Sequence, residues 1–304
     1  MDLGVDIKNA IAKTAVQLAS ETHAGAIIVI SDDESLSDLL KDFLTTDIPI
    51  YVARFEGRIE GVHEDLSIDF ISKLMGSATN VSQSMNLKAF SRAELLEDAI
   101  TVAYANGKIK SDIVVGVVGV GVACDSIIIY NVKESPAIQS LNESTKRVDP
   151  NVLRAVLRIA MDIGREGREG RPVGTVFVVG DSAEVLKRSH QLILNPFQGH
   201  DGTERDITWA ENWESIKALA MLDGAFIIDE KGQILTAGAY LDVDAKSVQI
   251  QKGLGARHAA AAAISKETRA ISVTVSQSGG TVRVYKDGKR LIEIESGIEV
   301  KRHA

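Results

Sequence analysis

Several short runs of this chain are apolar with almost no polar interruption, among them Ala26 to Ile30, Ile113 to Val118 and Ile127 to Tyr130. A strand with one face in water alternates apolar and polar residues, whereas a run that is apolar throughout needs cover on both faces. Such runs predict a mainly parallel sheet between helices. The stretches between them carry the helical period. Ile7, Ile11, Ala15 and Leu18 share one face, and Leu36, Leu39, Leu40, Phe43 and Leu44 recur at three- and four-residue spacing. Ser91 and Glu94 have capping-box spacing ahead of Leu95, Leu96, Ala99, Ile100 and Ala103. The fold class is therefore α/β, with a three-layer α/β domain expected over residues 1–131.

A chain of 304 residues is long enough for two cores. Residues 132–148 are polar, contain Pro136 and show no sustained period, so they are expected to be a linker. Asp149 then suits a helix cap and Pro150 the first helical position, with Leu153, Val156, Leu157 and Ala160 as the buried face. Thr175 to Val179 is a strand, and Phe226 to Ile228 with Ile234 to Tyr240 forms a hairpin about Lys231-Gly232. A helix near 256–267 precedes strands at Ala270 to Val275, Thr281 to Tyr285 and Arg290 to Ile294, the last two joined at Asp287-Gly288. Residues 149–304 are thus expected to form a domain with a mixed sheet flanked by helices. Trp209 and Trp213 are expected in its core.

The formal charge of −8 comes with no basic block, which argues against nucleic acid as a partner. Cys124 is the single cysteine, so no internal disulfide forms, and a reducing cytoplasm fits. No uninterrupted apolar stretch reaches the ~18 residues of a membrane span, so no membrane partner is expected. The histidines at 23, 63, 190 and 200 lack ligand spacing. Gly116, Gly119 and Gly121 do not follow a dinucleotide or phosphate-loop pattern.

Two features carry chemistry. Gly253-Leu-Gly255-Ala256 runs into a helix that opens with Arg257 and His258. Glycines admit a ligand close to the backbone, and first-turn N–H groups favour an anion, with phosphate the natural candidate. A surface helix whose basic residues pair with neighbouring carboxylates is the plainer account. Asp223, in Asp-Gly-Ala before a strand, is either a turn cap or a carboxylate at a site. The alanines at 259–263 are packing residues.

Taken in order, Gly167 to Asp181, Asn195-Pro-Phe197, Asp223-Gly-Ala225, Gly238-Ala-Tyr-Leu241, Gly255-Ala-Arg-His258 and Val275-Ser276 resemble the diadenylate cyclase domain over residues 149–292. The arrangement with a leading α/β domain is similar to the soluble archaeal type, and that leading domain resembles, more loosely, the C-terminal domain of pyruvate kinase. The resemblance implies that two ATP molecules become cyclic di-AMP and two pyrophosphates where two domains meet face to face in a homo-oligomer. It assigns Asp223 to a divalent metal, Mn²⁺ or Mg²⁺, and to deprotonation of the 3′-hydroxyl, and it gives phosphate contacts to Arg257 and His258. Gly224 and Ala225 would lie beside the nucleotide, Tyr240 and Leu241 at adenine, and Ser276 near the triphosphate. Gly238, Gly253, Gly255, Ala256 and Ser278 complete the expected ATP-binding set.

Five positions depart from the pattern. Ala256 replaces a threonine and Ala259 a second arginine, Gln277-Ser278 stands for two glutamates, and Leu222 takes the place of a histidine found in some members. The alternative function is a sensor that binds ATP or cyclic di-AMP without turnover.

Overall fold

The computed structural model describes residues 3–31, 35–55, 92–120, 123–167, 172–249, 251 and 253–303. His63, Ser91, Gly121 and residues 168–171 lie outside the described residues. Two compact units result. The first comprises Met1–Tyr104, Lys108–Lys133 and Gly297–Ala304, and the second Ala105–Gly107 and Glu134–Ser296.

In the first unit, helices α1 (Leu3–Glu21), α2 (Ser35–Phe43) and α3 (Arg92–Ala105) accompany strands β1 (Ala26–Ile30), β2 (Ile50–Phe55), β3 (Ile113–Val120) and β4 (Ala123–Asn131). All five residues of β1 are buried. Ile27 and Val29 pack with Val115 and Val117 against Ala12, Ala15, Leu36 and Leu40 of α1 and α2. The alternate face carries Gly116, whose missing side chain leaves room for Leu96 of α3. Helices therefore cover both faces of the sheet, as uninterrupted apolar strands demand.

The sheet is less parallel than expected. Its order runs from β12 (Ile298–Arg302) through β2, β1 and β3 to β4, and only β2, β1 and β3 run parallel. β3 and β4 pair antiparallel, because so short a connection leaves no length for a crossover helix. The far edge, β12 (Ile298–Arg302), pairs antiparallel with β2. Residues 297–304, expected in the second domain, thus belong to the first sheet: Ile298 and Val300 are buried there. The expected linker also holds structure. Helix α4 (Pro136–Ser144) is capped by Ser135, whose Oγ accepts from the Ile138 backbone N–H, and it buries Ile138 and Leu141. Pro136 opens this helix, where its missing N–H costs nothing.

The second unit is a mixed seven-stranded sheet. Helix α5 (Pro150–Glu166) starts at Asp149, whose Oδ1 accepts from the Asn151 N–H at 2.7 Å. Then come β5 (Thr175–Val179), α6 (Ser182–Leu186), β6 (Ser189–Gln191), α7 (Trp213–Leu219), β7 (Ala225–Ile228), β8 (Ile234–Leu241), α8 (Ala256–Glu267), β9 (Ile271–Val275), β10 (Val282–Lys286) and β11 (Lys289–Ile294). Strand order is β11-β10-β9-β5-β7-β8-β6, with β5 and β7 the parallel pair. Asp287 and Gly288 both take positive φ between β10 and β11, the geometry of a tight hairpin turn. Ala261, Ala262 and Ile264 of α8 pack on Val176, Val178, Ile227 and Tyr285, so the alanines bring the helix close to the sheet. Trp213 donates to the Ile207 carbonyl, whereas Trp209 is 49% exposed and is not a core residue.

Candidate active site

The start of α8 and the start of β7 meet at one cavity of about 1150 Å³ in the second unit. Asp223 and Gly224 lead into β7. Gly224 has φ 109°, and a Cβ on it would stand 2.5 Å from the Gly238 carbonyl carbon. Glycine alone meets both conditions. Gly238 has φ 72° and would itself clash with Ile193 if it bore a side chain. It is not among the residues lining the cavity. Its part is backbone approach: it lets β8 close on Gly224.

The other expected residues do gather there. Asp223, Gly224, Ala225, Tyr240, Leu241, Gly253, Gly255, Ala256, Arg257, His258, Ser276 and Ser278 all line the cavity. Gly255 caps α8 with no side-chain hydrogen bond to the first turn, and added Cβ atoms on Gly253 and Gly255 would meet nothing within 4 Å. The helix start is therefore open to a ligand, as an anion site requires. Arg257 Nη2 donates to Asp223 Oδ1 at 2.7 Å, so the acidic and basic features of the sequence are in direct contact. The Asp223 side chain is 84% exposed, and an ion pair this wet is worth about 1 kcal/mol or less. A stronger ligand separates it at little cost.

His258 differs from Arg257. Its ring is buried, with Nδ1 2.9 Å from Thr274 Oγ1 and 3.5 Å from the Tyr285 hydroxyl. Burial first, and then the neighbouring Arg283 guanidinium, push its pKa down to about 4. His258 is neutral at pH 7, so Arg257 is the cation of this helix start. Ser276 Oγ donates to the Ser278 carbonyl at 3.1 Å, which shapes the turn after β9.

Sequence reasoning missed several wall residues, chiefly Arg283 and Glu293 from β10 and β11. Each sits in an alternating strand where a polar residue reads as solvent-facing, and only their pairing next to β9 puts them at the cavity. Among the described residues no group of three or more His, Cys, Asp or Glu side chains is placed to hold a metal ion. Among those residues, too, no helix is long and apolar enough to cross a membrane.

Residues 162–290 match the family model described as "DisA bacterial checkpoint controller nucleotide-binding", and residues 10–133 match one described as "Probable sensor domain DacZ_A". A protein named diadenylate cyclase from Methanocaldococcus jannaschii is 37% identical over 302 residues, covering 94% of this chain and 96% of the relative. A diadenylate cyclase from Haloferax volcanii is 40% identical over 153 residues, 50% of this chain and 55% of that one. The solved structure of a DacA double mutant from Staphylococcus aureus is 24% identical, covers 46% of this chain and 86% of its own, and superposes with a TM-score of 0.34. With the Methanocaldococcus relative matched along nearly the whole of both chains, this chain belongs to the diadenylate cyclase family and is an enzyme of that class.

Proposed function

We propose that the chain condenses two ATP molecules into cyclic di-AMP and two pyrophosphates, with each active site completed by a second copy of the chain. The carrying observation is one cavity lined by an exposed carboxylate, Asp223, and by an open helix start whose Arg257 pairs with it. Its volume, about 1150 Å³, is ample for a nucleoside triphosphate. In each half-reaction a 3′-oxygen forms a bond to the α-phosphorus of the opposite ATP. The bond from that phosphorus to the β-phosphate bridging oxygen breaks, pyrophosphate leaves, and the hydroxyl proton passes to solvent by way of Asp223.

Phosphoryl transfer depends on in-line positioning and charge neutralisation more than on covalent help. Arg257 and the first-turn amides of α8 bind phosphate oxygens, and His258, held by Thr274, adds a neutral hydrogen-bonding edge. Tyr240, 53% exposed, and Leu241 border the nucleoside side. Mg²⁺ or Mn²⁺ fits Asp223 because such hard cations take one or two carboxylates and complete their shell with phosphates and water. When bound it would neutralise phosphate charge and lower the pKa of a coordinated hydroxyl. A second copy is supported by exposed apolar side chains near the cavity: Leu192 lines it, and Ile193 and Leu194 follow, Leu194 being 93% exposed.

Purified protein given ATP with Mg²⁺ or Mn²⁺ should yield cyclic di-AMP by mass spectrometry, and Asp223→Asn should remove at least about 99% of it at an unchanged unfolding temperature. ATP binding without product would favour the sensor reading, which rests on Ala256, Ala259 and Ser278.

A further inference from the structure

Arg283 lies in β10 opposite Thr274 of β9 and Glu293 of β11. Directly opposed residues project from the same face of a sheet, so these three form a polar row. The row runs beneath the start of α8, since Thr274 is the hydrogen-bond partner of His258. Arg283 and Glu293 both line the cavity. Glu293 grips the guanidinium along one edge: Arg283 Nε donates to Oε2 and Nη2 to Oε1, each at 3.2 Å. Arg290 also donates to Glu293, so two guanidinium groups share one carboxylate and the cluster stays positive.

The other edge of Arg283 is unsatisfied. Its side chain is 11% exposed, and Nη1 is buried without a hydrogen-bond partner. Such a donor is costly to leave unpaired and is stabilised by any acceptor brought beside it. Arg257 is the one cation that the start of α8 brings to the site, because position 259 is alanine and His258 is neutral. One guanidinium does not balance a triphosphate.

We propose that Arg283 is the second phosphate-binding arginine of this site, supplied from β10 in place of the one absent at position 259, with Glu293 as the residue that positions it. This rests on the ATP-site reading above, but a probe without a nucleoside tests it separately. Inorganic pyrophosphate with Mg²⁺ is titrated calorimetrically into the full-length wild type, Arg283→Lys, Arg283→Gln and the double variant Arg283→Gln/Glu293→Gln. The double variant strands no carboxylate, so it guards against misfolding.

Loss of a charge-assisted pair should weaken pyrophosphate binding about tenfold or more in both Gln variants, while Arg283→Lys keeps part of it and unfolding temperatures hold. The KM for ATP should rise in parallel. Unchanged pyrophosphate affinity in the double variant would overturn the proposal. So would a lysine variant as weak as glutamine, or a wild type that binds no pyrophosphate. If the wild type binds pyrophosphate but makes no cyclic di-AMP, the cyclase reading fails while the titration still decides Arg283.

Discussion

Asp223 and Arg257 pair across 2.7 Å, yet the proposed chemistry would take them apart, the carboxylate toward a hydroxyl or cation and the guanidinium toward phosphate. The weak pairing of exposed charges suits that exchange. His258 is governed by burial instead. Its pKa of about 4 lies below the ordinary 6.5, so between these values the unfolded chain takes a proton that the folded chain refuses. Stability is unaffected by this group above about pH 6.5 and falls as pH drops from there towards about 4. Thermal unfolding followed from pH 7 to 4.5 should show a steeper decline for the wild type than for His258→Gln. Parallel curves would remove His258 from that role.

The elements divide into those announced by local pattern and those defined by a distant partner. α5 begins at its sequence-read cap, and β5, β8, β9, β10 and β11 fall on the expected runs. α4 was hidden because Pro136 reads as a breaker unless the residue before it is seen to cap a helix. β12 was hidden because Ile298 and Val300 alternate with charge, a pattern that names a strand and not its sheet. Removing residues 297–304 exposes the β2 edge and forfeits the burial of those two side chains, roughly 3–6 kcal/mol at most. Calorimetry on that truncation should show the first unit unfolding at a lower temperature. An unchanged trace would mean that β12 adds nothing to its sheet.

For the molecule in solution, the proposed reaction sets a requirement that one chain does not meet. With one nucleotide to a cavity, as proposed, the product would join the contents of two. Cyclic di-AMP formed per chain should therefore fall in proportion to protein concentration once dilution drives the chain to monomer. Rates measured over a dilution series, beside sedimentation on the same samples, check this. Constant activity per chain in samples that sediment as monomers would exclude a site shared between copies.

Local periodicity and short motifs, which depend only on neighbouring residues, sufficed to read helices, strands, the Asp223-Gly-Ala225 turn and the helix start at Gly255. Of the other residues at the cavity, Tyr240, Leu241, Ser276 and Ser278 were named only by the resemblance to the diadenylate cyclase family. Strand partners were beyond that reach, because pairing depends on which edges and faces find cover, a property of the packed whole. That is why β3 and β4 are antiparallel, why the C-terminal strand joins the first sheet, and why Gly238 supports the site from outside the cavity. It is also why Arg283, which in sequence is one charge in an alternating strand, stands in the folded chain beside His258 with a buried donor that has no hydrogen-bond partner.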